Sequence, residues 1–92
     1  MSKKDEMKEL EKDLKIALAL KSALTVRKNR IRAKLMYLTE EGTEEPDIRE
    51  DSDYLDEFSK LLDESQWTKS RLDIANKAIE EIHRRMDKLL TD

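Results

Sequence analysis

The sequence predicts an all-α protein: a long antiparallel helical hairpin, coiled-coil-like, that associates as a dimeric four-helix bundle or a higher oligomer. Three observations predict it. Ala, Leu, Lys, Arg and Glu dominate a chain of 92 residues that is 45% charged and has one Gly and one Pro, a composition typical of long helices. Apolar residues recur three and four apart from Met7 to Leu89, the spacing of a helical face. Strong breakers fall in one place, Gly42–Pro46. The expectation is a single helical domain, 1–92, with helix 1 over about 3–41, a loop over about 42–50 and helix 2 over about 51–90.

Helix 1 opens at Ser2, a candidate N-cap, with Asp5 and Glu6 in the first turn where the helix dipole favours acids. Met7, Leu10 and Leu14 begin an apolar stripe that continues through Ala17, Leu20, Leu24, Ile31, Leu35 and Leu38. From Leu14 to Thr39 there are seven cations and no acid. Ile16, Leu18, Ala19, Val26, Ala33, Met36 and Tyr37 point away from the stripe. A helix apolar on two sides needs more than one partner surface. Ile16, Leu18, Leu20, Leu24, Ile31, Leu35 and Trp67 are therefore expected at an oligomer interface. Gly42 stands where a left-handed C′ residue would end the helix.

Two starts are open to helix 2. Asp47, with Glu50 three residues on, reads as a capping box; Ser52, followed by Asp53, is the other. Leu55, Phe58, Leu62, Leu72, Ala75, Ile79, Ile82, Met86 and Leu89 mark its apolar face. The face is interrupted at 63–67, where Ser65 and Lys69 take apolar positions. One continuous helix is the reading adopted, because no Gly or Pro forces a stop. A break into three helices, with Asp63 or Ser65 as the new cap, is the alternative. Folding about Gly42–Pro46 sets Tyr37 level with Tyr54, Ala33 with Phe58, Leu24 with Trp67 and Ala17 with Ile74. In that register Leu24 and Trp67 share a buried layer. Arg27, Arg30 and Lys34 then face the acids of 56–64 and pair with them.

Composition removes several function classes. There is no Cys, hence no disulfide, thiolate metal site or Cys nucleophile. The longest apolar run, Ile16–Leu20, is far too short for a membrane span, and a cytoplasmic protein without a membrane partner is expected. Net charge is −3, which by itself predicts no polyanion partner. Lys21, Arg27, Lys28, Arg30, Arg32 and Lys34 nonetheless form a candidate anion-binding set, since cations spaced along a helix neutralise phosphates. Their competing role is pairing with the acidic run of 40–64, which holds twelve acids.

Glu80 and His83 make a Glu-x-x-His pair on one helical face, the spacing used twice in di-iron bundles. They flank the apolar stripe instead of occupying it, so a solvated His is the ordinary reading and no metal or cofactor is expected. Small all-helical chorismate mutases have a similar length and a long first helix, and Arg49-Glu50 after the loop resembles them. Val26 and Tyr37 stand where that active site needs cations, so no catalytic residue is assigned. The sequence thus reads as a non-catalytic helical interaction protein (an adaptor, inhibitor or assembly subunit) that self-associates and binds an unidentified protein. The second reading is a binder of an anionic ligand or nucleic acid through the basic stretch of helix 1.

Overall fold

A computed structural model describes residues 2–91; Met1 and Asp92, the ends of the expected domain, lie outside them. Two long α-helices, α1 (Lys3–Glu44) and α2 (Ser52–Thr91), are joined by a short 3-10 helix at Pro46–Glu50, with no strand among the described residues. The all-α expectation therefore holds. So does a continuous second helix: α2 runs through 63–67 without a break.

Each helix end has a chemical reason. The Ser2 side chain accepts the N–H of Asp5 at 3.2 Å, which satisfies one of the unpaired amides that open α1. At the other end α1 does not stop at Gly42. The glycine is helical and buried, and no described residue has positive φ. The helix ends one short turn later, where the N–H of Glu45 still bonds to the Glu41 carbonyl at 2.9 Å. The Gly42 carbonyl has no helical donor left and accepts Arg49 Nε at 2.6 Å. Arg49 thus brings a cation to a helix C-terminus whose own last turn has none.

Neither predicted cap opens α2. The cap is Asp51, whose Oδ1 accepts the N–H groups of Asp53 at 2.8 Å and Tyr54 at 3.4 Å. Pro46 sits in the first turn of the 3-10 helix, where a missing N–H costs nothing.

The chain divides into two compact units. The first takes α1 as far as Leu24 and α2 from Arg71 onward. Within it the two segments run antiparallel, and Leu24 packs with Leu72 and Ala75. The second unit, Thr25–Ser70, is a helical hairpin closed by the 3-10 turn. Its core is Ile31, Leu38 and Leu61, with Leu35, Tyr54 and Phe58 packed against it. The Tyr54 hydroxyl donates to the Leu38 carbonyl at 2.6 Å, and its ring lies 6.1 Å from that of Phe58.

These contacts correct the expected register. Leu24 meets Leu72, not Trp67, and Tyr54 meets Leu38 and Gly42, not Tyr37. Because α1 continues through Gly42, the reversal moves into the 3-10 helix and every later pairing slides by about one helical turn. The inward positions of α2 step by four and three through Tyr54, Phe58, Leu61, Ser65, Thr68, Leu72, Ala75 and Ile79. Leu55 and Leu62, expected inside, are exposed. On α1 the same steps pass through Ala17, Lys21, Leu24, Lys28 and Ile31, which leaves Leu20 outside. Lysines at such positions lay their methylene stems along a seam and keep the ammonium in water.

Candidate interaction face

Burying one stripe leaves a second on α1. From Val26 the outward positions are Val26, Arg30, Ala33, Tyr37 and Glu40, again at steps of four and three, and all are exposed. Met36 stands beside them. Met36 is 56% and Tyr37 62% exposed, large values for side chains of this size on a helix that already has a partner. In the first unit Ile16 and Ile74 are exposed to a similar degree, with Leu18 and Leu20 outside as well.

Of the seven residues expected at an oligomer interface, three are occupied within the chain. Leu24 and Ile31 are buried in the two cores and Leu35 packs against the second. Ile16, Leu18, Leu20 and Trp67 face outward. Trp67 was expected in a buried layer and is 46% exposed instead. The buried residue is its neighbour Thr68, at 0%, which occupies the inward step between Ser65 and Leu72. The Thr68 hydroxyl donates to the Glu64 carbonyl one turn back, at 2.7 Å, so no polar atom is stranded.

The basic stretch is arranged differently from expectation. Among the described residues, Arg27, Arg30 and Lys34 make no ion pair with the acids of 56–64. Arg27 lies over the Trp67 ring, with its guanidinium carbon 4.8 Å from the centroid, an attraction of cation to π-face. Arg30 and Lys34 are exposed, and Arg30 lies on the outward face of α1. The acids gather instead on both sides of the turn. There the Glu41 carboxylate, close by and accepting the Tyr37 hydroxyl proton, raises the Tyr37 pKa above its usual 10.0, with Glu44 adding to the effect.

No metal centre assembles among the described residues. Glu80 and His83 gain no third ligand, and among the described residues no group of three or more His, Asp or Glu side chains is placed to hold a metal ion. Next to them Glu81 is held by Arg84, at 2.6 Å, and Arg85, at 3.1 Å. Hydrogen bonds from these two guanidinium groups lower its pKa from 4.5 to about 2. In the first unit a cleft of about 490 Å³ has Glu6, Glu9, Asp13 and Leu10 on the α1 wall and Arg85, Lys88 and Leu89 on the α2 wall. Its lining includes no His, Ser or Tyr. Among the described residues no helix is long and apolar enough to cross a membrane. Comparison with protein-family models, with curated proteins and with solved structures gives no match to this chain.

Proposed function

We propose that this chain is a non-catalytic helical interaction protein that associates with itself and presents helix faces to a protein partner. One observation carries the reading. The helices already bury one stripe each, yet both units retain large apolar side chains in water: Ile16, Leu20 and Ile74 in the first, Val26, Met36 and Tyr37 in the second. Single exposed apolar residues are ordinary, whereas a series recurring on one helical face marks a contact surface. Sedimentation equilibrium across the micromolar range tests it. The expected result is a mass above that of one chain, growing with concentration. A cooperative melt from a strict monomer would overturn self-association.

A second reading rests on the cations. Arg30, Arg32 and Lys34 are exposed and not neutralised by the acids of 56–64, and with Lys21, Arg27 and Lys28 they form a basic run on α1. Binding of a nucleic acid or another polyanion there would weaken steeply with salt, in proportion to the phosphates neutralised. An apolar helix interface would not. Titration of a labelled oligonucleotide at two salt concentrations separates the two readings.

A further inference from the structure

The outward face of α1 in the second unit is self-complementary. Residues 26–44 begin with Val26, Arg27 and Arg30, pass through Ala33, Met36 and Tyr37, and end in Glu40, Glu41 and Glu44. Basic and acidic ends therefore flank an apolar middle. Laid antiparallel on a copy of itself, with the two-fold axis level with Leu35, this face matches at its central steps. Ala33 meets the partner's Tyr37, so a small residue receives a large one. Arg30 meets the partner's Glu40, and Val26 lies level with the partner's Glu44. Met36 lies beside the axis. The two-fold repeats each match.

Other arrangements fail on charge. A parallel pairing stacks Arg30 on the partner's Arg30 and Glu40 on the partner's Glu40. An antiparallel pairing centred on Val26 sets the basic stretch of 15–34 against itself. In the favoured register Arg30 and Glu40 pair with opposite sign, and Lys34 lies level with the partner's Met36. Like charges brought together cost more than opposite ones gain, so register selection is the main effect.

We infer that two copies of this chain associate through residues 26–44 of α1, antiparallel, with Ala33, Met36 and Tyr37 at the centre and Arg30–Glu40 pairs on either side. This rests on the self-association proposed above and names its surface. The contact is about 27 Å long at 1.5 Å per residue. One helix face of that length falls well short of the roughly 800 Å² per partner in a standard interface. A weak, reversible dimer is therefore expected.

The chain has no cysteine, so single-Cys variants report without background. Met36→Cys is expected to cross-link to a dimer under mild oxidation, and Ser59→Cys, on exposed α2, is not. Sedimentation of Arg30→Glu and Glu40→Arg should each show dimerisation weakened by about tenfold or more, the equivalent of 1.4 kcal/mol. The double variant restores opposite pairs and should return to within about threefold of the parent. Circular dichroism confirms that each variant is folded. If the chain dimerises but neither single variant weakens it, or the double variant fails to recover, this face is overturned and self-association stands. If the parent is monomeric throughout, both fall.

Discussion

At Gly42 a missing methyl group decides how closely two helices approach. A Cβ there would lie 2.6 Å from the Tyr54 hydroxyl and 3.4 Å from Arg49 Nε and Tyr54 Cζ. Alanine would favour the helix by about 1 kcal/mol. Against that stand the displaced Tyr54 hydrogen bond, about 0.5–1.5 kcal/mol, and overpacking of about 1–3 kcal/mol. Gly42→Ala should therefore destabilise by about 1–2 kcal/mol in urea titration, and become neutral or stabilising in a Tyr54→Phe background, a direct coupling measurement. Thr68 behaves in the opposite way. Its hydroxyl bonds to a carbonyl that the helix already satisfies, so Thr68→Val loses no required partner and should raise stability by about 0.5–1 kcal/mol. Trp67, exposed beneath Arg27, should emit near free indole in water and be readily quenched by iodide. Its truncation to Ala should cost no more than about 1 kcal/mol, far less than the roughly 3–5 kcal/mol of a buried Trp.

At the scale of the element, the capping of α2 separates local from tertiary causes. Asp51→Ala should cost about 1 kcal/mol of stability, as loss of an N-cap does. Ser52→Ala should change it by no more than about 0.5 kcal/mol, as at an ordinary surface position; the reverse order in thermal melts would reassign the cap. The helices themselves were legible from residue type and spacing, because good helix formers and a three–four rhythm persist over most of the chain. The reversal point was not. Gly42 carries the usual mark of a helix end, and the reason it lies inside the helix is Tyr54, twelve residues away and across the turn. The inward face was ambiguous where two apolar residues adjoin: Tyr54 with Leu55, and Leu61 with Leu62. One step of slip chose the wrong member of each pair. The same slip hid Thr68, since a buried Thr has no apolar signature, and it placed Trp67 inside by setting it level with Leu24 at the gap in the apolar face. The candidate surface was legible in part. Ile16, Leu18, Val26, Ala33, Met36 and Tyr37 read as pointing away from the stripe, while the self-matching order of Arg30, Ala33, Tyr37 and Glu40 emerges only once the inward face is fixed.

For the whole molecule, the division into two units also sets an order of events in time. In the second unit partners are near in sequence: Tyr54 reaches Leu38 across sixteen residues. The halves of the first unit are separated by all of Thr25–Ser70. Closing the longer loop directly costs about 1 kcal/mol more entropy, and forming the second unit beforehand removes that cost. The turn, with its Asp51 and Arg49 caps, is thus the natural nucleus, and the first unit condenses afterwards. Stopped-flow kinetics should show Leu61→Ala mainly slowing folding, with φ of about 0.5–0.8, and Ala75→Gly mainly speeding unfolding, with φ of about 0–0.3. Equal φ at both sites would mean that the chain does not zip from its turn.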